Sequence, residues 1–198
     1  MTYLTLVLCM AGAFLLGSIP FGLVIAKTIK GIDPRKAGSG NIGSTNVARL
    51  CGWPCGVLTL FCDIMKGTLP VLIAVHVLPD QFLQSLVALA AVMGHIKSPF
   101  LGFKGGKGVA TTIGALIPLA FLPLLCAVVC FFAVFFLTRF VSLSSMTMSV
   151  ALAVFYAVFG HWQLLPLGVF LAAMIIWAHR SNIGRLMRGE ESKFVLKK

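Results

Sequence analysis

The chain has 198 residues, of which 59% are hydrophobic and only 11% are charged, and its mean hydropathy is +1.02. Because a soluble domain carries about 25% charged residues, this composition excludes a protein whose whole surface faces water. We predict an all-α integral membrane protein, with residues 1–198 forming a single domain.

The formal net charge is +11, from 16 Lys and Arg against five Asp and Glu. Nucleic acid is not an expected partner, because the basic residues adjoin apolar segments and the sequence has no RNA-binding or zinc-finger motif. The charge instead fits two other properties, which are compatible with each other. One is the excess of Lys and Arg in cytoplasmic loops, and the other is the binding of anionic substrates.

The sequence has six apolar runs and three polar, glycine-bearing clusters. The runs occupy roughly residues 2–26, 53–78, 82–95, 109–138, 143–159 and 163–178. The polar clusters, here called the first, second and third clusters, are residues 27–49, 97–107 and 179–198. Every Lys and Arg except Lys66 lies in a cluster or at Arg139. We therefore place the clusters on the cytoplasmic side, with the N-terminus outside and the C-terminus in the cytoplasm.

This orientation requires an odd number of membrane crossings, whereas six runs give an even number. The run 109–138 is long for one span and carries Pro118 and Pro123 near its middle, so we split it there and predict seven transmembrane segments. Its first half, residues 109–117, would be only about 14 Å long as a helix. The glycine-rich loop before it is then expected to face the cytoplasm from a cavity at membrane depth.

The second cluster contains the sequence GFKGGKGVATT, residues 102–112. A nucleotide-binding P-loop is excluded, because a glycine follows Lys107 where that motif has Ser or Thr. Glycines before a helix can still direct backbone N–H groups at an anion, and two lysines add positive charge. The anion-binding candidates are Lys104, Gly105, Gly106, Lys107 and Gly108. A flexible hinge with solvated lysines is the alternative.

The end of the first cluster and the three residues after it read AGSGNIGSTNVARLCG, residues 37–52, where small polar side chains alternate with glycines. Thr45 and Arg49 are four residues apart and share one face of a helix. An arginine fork suits phosphate. The candidate ligand-binding residues are Ser39, Asn41, Thr45, Asn46 and Arg49. A polar loop with helix caps is the alternative.

The third cluster begins HRSNIGRL, where His179 and Asn182 are spaced to face one cavity, with Arg185 nearby. Ser142 and Ser145 follow Arg139 on the same predicted side of the membrane and offer hydroxyl donors.

Two further polar features lie in or beside apolar runs. Asp63 and Lys66 are three residues apart and are expected to form an ion pair, because an unpaired charge in a span is costly. His95 resembles the start of an HxxxxD acyltransferase motif, but Phe100 stands where the aspartate must be. We predict neither a disulfide nor a metal site, since the six cysteines form no CxxC pair.

Three motifs, GSGNIGSTNVAR (38–49), GHIKSPFLGFKGGKGVAT (94–111) and HRSNIGRL (179–186), together resemble the bacterial acyl-phosphate-dependent glycerol-3-phosphate acyltransferase family. The resemblance covers essentially the whole chain and includes DIMKG at 63–67. One departure is Ser44, where the family usually has alanine. The resemblance implies a multi-pass enzyme of the bacterial inner membrane, in contact with membrane lipid and with its active site facing the cytoplasm.

The implied reaction transfers an acyl group from acyl phosphate to the 1-hydroxyl of glycerol 3-phosphate. It gives lysophosphatidic acid and inorganic phosphate, the first step of phospholipid biosynthesis. No metal or organic cofactor is implied.

We expect direct attack of the hydroxyl without an acyl-enzyme, with a substrate phosphate oxygen taking the proton; His179 as general base is the competing assignment. The catalytic assignments are Ser39, Lys104, His179 and Asn182. The substrate-binding assignments are Asn41, Thr45, Asn46, Arg49, Gly105, Gly106, Lys107, Gly108, Ser142, Ser145 and Arg185. A small anion transporter or channel subunit is the alternative function, because glycine loops and half-helices also build transporter sites.

Overall fold

The first apolar run folds into two helices. In the computed structural model, which describes residues 1–194, α1 (Thr2–Ser18) ends just before Pro20 and α2 is Phe21–Lys30. Proline has no N–H and disfavours a helical conformation in the residue before it, which accounts for the break. The carbonyl of Ser18 accepts a hydrogen bond from Ser98 Oγ (2.6 Å), and that of Ile19 accepts one from Lys66 Nζ (2.8 Å).

Most of the remaining helices follow the predicted apolar runs, and two short ones lie in the polar clusters. They are α3 (Ser44–Cys51), α4 (Trp53–Val77), α5 (Gln81–Ile96), α6 (Val109–Leu116), α7 (Phe121–Thr138), α8 (Val141–Val158), α9 (Leu165–Ala178) and α10 (Arg180–Met187), with a 3₁₀ turn at Pro99–Leu101. Residues 1–194 contain no strand, so the prediction of an all-α protein is confirmed. The last four residues of the third cluster, 195–198, lie outside the described part of the chain.

The chain forms two compact units, Met1–Leu119 and Ala120–Lys198. The first holds α1 to α6 and the second holds α7 to α10. The expectation of a single domain stays a prediction.

Four helical stretches within residues 1–194 are long and apolar enough to cross a membrane: Thr2–Lys30, Trp53–Val77, Phe121–Thr138 and Val141–Val158. A fifth is present if α9 and α10, which are bent by 59°, form one span. α5, with 16 residues, and α6, with eight, are shorter than the roughly 20 residues of a typical span. The count of seven spans therefore stays a prediction.

The division of the run 109–138 is confirmed. α6 ends at Leu116 and α7 begins at Phe121, so the break contains Pro118, and Pro123 lies in the first turn of α7. At about 1.5 Å per residue, the eight residues of α6 reach only about 12 Å. Thr68 Oγ1 on α4 donates to the carbonyl of Gly114 (2.9 Å), and a side chain at Gly114 would overlap the carbonyl of Ile64. Close contact with α4 therefore holds α6 in place.

α3 is anchored by its apolar face. Val47 and Cys51 are buried in a cluster with Ile25, Ala26 and Cys55, which come from α2 and α4. This packing fixes the first cluster at the end of α2. Arg49, on the same helix, stays exposed.

The predicted ion pair within α4 is confirmed. Lys66 Nζ lies 2.8 Å from Asp63 Oδ1, and both side chains are buried.

Candidate functional site

Asn46 organises the loop of the first cluster. Its side chain is 2% exposed. Its Nδ2 donates to the carbonyls of Pro34 (2.9 Å), Ala37 (3.2 Å) and Asn41 (2.8 Å), while its Oδ1 accepts the N–H of Ser39 (2.9 Å). The amide thus holds together the loop that carries Ser39. Substrate contact by Asn46 stays a prediction, and the contacts present are those of a scaffold.

Replacing Asn46 by aspartate is expected to lower both the thermal stability and the transfer activity. Aspartate keeps the acceptor for Ser39 but removes the donor to three carbonyls, and each unsatisfied buried group costs about 1–3 kcal/mol. We expect a lower Tm in detergent and a rate lowered by about tenfold or more through misplacement of Ser39. Ser44→Ala is the matched control at the start of α3. An Asn46→Asp protein as stable and active as Ser44→Ala would contradict the scaffold role.

The start of this loop is braced by an ion pair. Arg35 Nε and Nη2 donate to the two carboxylate oxygens of Asp33, at 2.9 and 2.7 Å. These hydrogen bonds hold the pKa of Asp33 well below its usual range, so it stays a carboxylate. Farther on, Asn41 Oδ1 accepts the N–H of Gly43 (2.8 Å) in a turn that leads into α3.

The glycine loop, residues 102–108, is bonded to the end of α5. The N–H of Gly105 donates to the carbonyl of Ile96 (3.0 Å), and the N–H of Gly106 donates to that of His95 (3.1 Å). These two N–H groups therefore point at the helix end, whereas the sequence led us to expect them to converge on an anion. Substrate contact at Gly105 and Gly106 stays a prediction, and it would have to involve atoms other than these two N–H groups.

The same packing explains why both positions are glycine. A side chain at Gly105 would overlap the carbonyl oxygen of His95, and one at Gly106 would overlap its imidazole ring. On the outer side of the loop Lys104 is exposed and Lys107 half-buried. Gly108, in the left-handed conformation with φ +82°, caps α6. The loop thus presents its lysines beside the positive end of a helix dipole, which suits an anion.

In the second unit, three of the predicted residues meet at one carboxylate that the sequence analysis did not identify. Glu191 accepts hydrogen bonds from Ser142 Oγ (2.6 Å), Asn182 Nδ2 (2.6 Å) and Arg185 Nε (2.7 Å). Its side chain is only 9% exposed. Glu191 is one of only five acidic residues in a strongly basic chain, and this rarity was the one sequence signal that could have marked it.

Glu191 keeps its charge in this setting. Burial acts to raise the pKa of its carboxyl, but the hydrogen bonds from Ser142, Asn182 and Arg185 outweigh burial and lower it. The carboxylate therefore fixes the orientation of all three donors.

His179 lies at the bend between α9 and α10 and is 3% exposed. Its Nδ1 lies 2.8 Å from the carbonyl oxygen of Ile175. A carbonyl only accepts, so Nδ1 carries a proton, and Nε2 is the nitrogen that accepts when the ring is neutral. This tautomer suits both a positioning role and a base. Ser145, by contrast, donates its hydroxyl to the carbonyl of Val141 (2.8 Å), within its own helix.

The fold and these clusters define an all-helical membrane protein with polar loops suited to anionic ligands. The family model for glycerol-3-phosphate acyltransferase matches residues 7–189, and the chain belongs to that family. The predicted resemblance is therefore confirmed.

Curated relatives described as glycerol-3-phosphate acyltransferase are found in several bacteria. The Nitratidesulfovibrio vulgaris protein is 51% identical over 184 residues, covering 93% of this chain and 56% of its own length. The Desulfovibrio desulfuricans protein is 49% identical over 192 residues, covering 97% and 86%. The chain thus spans little more than half of the first relative but most of the second.

Two crystal structures of PlsY (YgiH), an integral membrane glycerol 3-phosphate acyltransferase, have the same fold. The glycerol 3-phosphate form superposes with a TM-score of 0.92 at 41% identity, covering 96% of each chain. The lysophosphatidic acid form gives a TM-score of 0.90, also at 41% identity, covering 97% of this chain and 96% of that chain.

Proposed function

We propose that this protein transfers an acyl group from acyl phosphate to the 1-hydroxyl of glycerol 3-phosphate, releasing inorganic phosphate. The observation that carries the proposal is the family match over residues 7–189, which includes the first and second polar clusters and the beginning of the third. The product would be lysophosphatidic acid, and the reaction the first step of phospholipid biosynthesis.

Acyl phosphate as the donor fits the chemistry of the site. An acyl phosphate is a mixed anhydride whose phosphate leaves readily. The reaction therefore depends more on cations that stabilise the leaving phosphate than on strong acids or bases. The glycine loop offers two lysines, and in the second unit the carboxylate of Glu191 is already engaged with three donors. The apolar acyl chain of the donor also suits a site beside helices that cross the membrane.

The reaction requires one bond exchange. The glycerol hydroxyl oxygen attacks the acyl carbon, the carbon–oxygen bond to phosphate breaks, and phosphate leaves with both bonding electrons. We assign Lys104 and the glycine loop to the leaving phosphate, and Ser39, Arg49, His179 and Asn182 to glycerol 3-phosphate. Because the attack is direct, no acyl-enzyme is formed, and a phosphate oxygen of a substrate takes the hydroxyl proton.

The test of the function is phosphate release by the purified protein. Detergent-solubilised protein is mixed with palmitoyl phosphate and glycerol 3-phosphate, and both phosphate and lysophosphatidic acid are measured. We expect both products in equal amounts, and neither when glycerol 3-phosphate is omitted. Detergent leaves no compartments, so an anion transporter would give no product. A folded protein that releases no phosphate would refute the proposal.

Replacing His179 by glutamine separates the two proton acceptors. Glutamine keeps an amide donor for the carbonyl of Ile175 but cannot act as a base, and loss of a general base costs about 10²–10⁴-fold in rate. Because we assign the proton to a substrate phosphate, we expect the rate to fall by less than about tenfold. A loss at the upper end of the general-base range, in a protein with unchanged Tm, would make His179 the base.

We also propose that the N-terminus is outside and the polar clusters face the cytoplasm, as the distribution of Lys and Arg indicates. In a protein with all six native cysteines replaced, Phe121→Cys and Arg139→Cys lie at opposite ends of α7, and both native side chains are exposed. An impermeant maleimide is expected to label Phe121→Cys in intact spheroplasts and Arg139→Cys only after permeabilisation. The reverse pattern would invert the orientation, and labelling of both from one side would exclude a crossing by α7.

A further inference from the structure

His95, at the end of α5, lies between a buried ion pair and the glycine loop. Its side chain is 4% exposed, and its Nδ1 lies 3.8 Å from Asp63 Oδ1. Asp63 is in turn 2.8 Å from Lys66 Nζ. On the opposite side of the ring, a side chain at Gly106 would overlap Nε2. α4 thus supplies the acidic neighbour that the sequence around His95 lacks.

This histidine and aspartate are not arranged as a catalytic base. Nδ1 faces the Asp63–Lys66 pair, and Nε2 lies against the backbone of Gly106. Nδ1 is buried and, at 3.8 Å, is not hydrogen-bonded to Asp63, so the aspartate does not orient the ring as it would in a catalytic dyad. The contact with Gly106 gives the ring a way to affect the reaction through the glycine loop.

We propose that His95 is a positioning residue that sets the path of the glycine loop and thereby the place of Lys104. The loop is fixed to α5 by two backbone hydrogen bonds, which its glycines donate to the carbonyls of His95 and Ile96. The imidazole of His95 packs against the second of these glycines, Gly106. Lys104 precedes these bonded glycines directly. The inference rests on the proposed function, because it assigns a purpose to the position of that lysine.

The Asp63–Lys66 ion pair, on the Nδ1 side of the ring, in turn supports His95. Lys66 Nζ also donates to the carbonyl of Ile19 at the break between α1 and α2 (2.8 Å). A continuous series of buried contacts therefore runs from that break through Lys66, Asp63 and His95 to Gly106.

Steady-state kinetics of His95→Ala and His95→Gln test the proposal. The alanine variant removes the support, and we expect the KM for palmitoyl phosphate to rise by about tenfold or more, with a smaller change in kcat. Glutamine keeps much of the volume and polarity, so we expect its kcat/KM to stay within about threefold of that of the unsubstituted protein. His76→Ala, a histidine in the last turn of α4 far along the helix from Asp63, is the control and should be unchanged.

Two kinetic results would overturn the inference. One is His95→Ala kinetics equal to those of the unsubstituted protein. The other is a His95→Gln protein that is folded, binds substrate normally and has lost kcat, which would make the imidazole itself a reacting group. If His95→Ala does not accumulate, His95→Asn, which shortens the side chain, decides by the same criteria.

A measurement independent of activity separates this inference from the proposed function. A nitroxide at Phe103→Cys in the cysteine-free protein reports the mobility of the loop, since Phe103 is 60% exposed. The label is expected to be more mobile in His95→Ala or His95→Asn, and unchanged in His76→Ala. If the unsubstituted protein releases no phosphate, the proposed function falls, while label mobility still decides whether His95 positions the loop. Unchanged mobility in both His95 variants would overturn the inference.

Discussion

Replacing Glu191 by alanine is expected to lower the rate of acyl transfer by about 10²-fold or more. The substitution leaves Ser142, Asn182 and Arg185 without their shared acceptor. Ser142 and Asn182 are buried, so their donors would have to turn toward other partners. Because we assign all three residues to the substrate site, a change in their orientation is expected to cost activity as well as stability. The measurements are phosphate release and Tm in detergent.

Glu190 provides a matched control one position away. It pairs with Arg188, and both side chains are largely exposed, so Glu190→Ala is expected to change neither quantity. Equal activity in the two alanine variants would contradict the role of Glu191.

The charge of Glu191 also gives the sign of a pH effect. Its pKa is lowered in the folded protein from an ordinary value of 4.5, so the carboxylate stabilises the fold fully above that value. This contribution is lost as the pH falls through the lowered pKa. In Glu191→Gln we expect the stability of the protein to depend less on pH in this acidic range. Equal acid sensitivity of the two proteins would show that the carboxylate does not have this role.

Replacing Gly105 by alanine is expected to abolish most of the activity, with a loss of at least about 10²-fold. The new methyl group would overlap the carbonyl oxygen of His95, which is backbone and cannot turn aside as a side chain can. The loop must then leave the end of α5, which breaks the hydrogen bonds of Gly105 and Gly106 and moves Lys104. The measurement is kcat/KM for palmitoyl phosphate.

Gly12→Ala is the control for this substitution. Gly12 lies within α1 with open space where a side chain would be. Alanine also has a higher helix propensity than glycine. We expect this variant to be as active as the unsubstituted protein. An active Gly105→Ala protein would show that the loop does not need its contact with α5.

Sequence patterns predicted the features that depend on local chemistry. The prolines near residue 120 predicted a short α6, and the spacing of Asp63 and Lys66 predicted their ion pair. The glycine loop, the first cluster and HRSNIGRL were recognised because their residues are close together in the chain. The break at Pro20 was missed, although the proline itself was the signal.

The supporting contacts were not predictable in this way, because they join distant segments. Glu191 meets Ser142 across 49 residues, and His95 meets Asp63 from another helix. Asn46 was expected to bind substrate because its type and position suited that role. The structure shows its amide engaged with three backbone carbonyls, which no spacing rule reveals.

The break between α1 and α2 has a consequence for how α4 enters the bilayer. A lysine or aspartate at the centre of an inserting helix costs about 2.5–3.5 kcal/mol, and α4 carries one of each. Synthesis proceeds from the N-terminus, so α1 and α2 are made before α4. When Lys66 leaves the ribosome, the carbonyl of Ile19 is already available as its acceptor, and Asp63 arrives in the same helix. The break at Pro20 leaves that carbonyl outside the regular helical hydrogen bonds, where it accepts the N–H of Phe21 and Lys66 Nζ, so the charged helix can insert with its lysine already partnered.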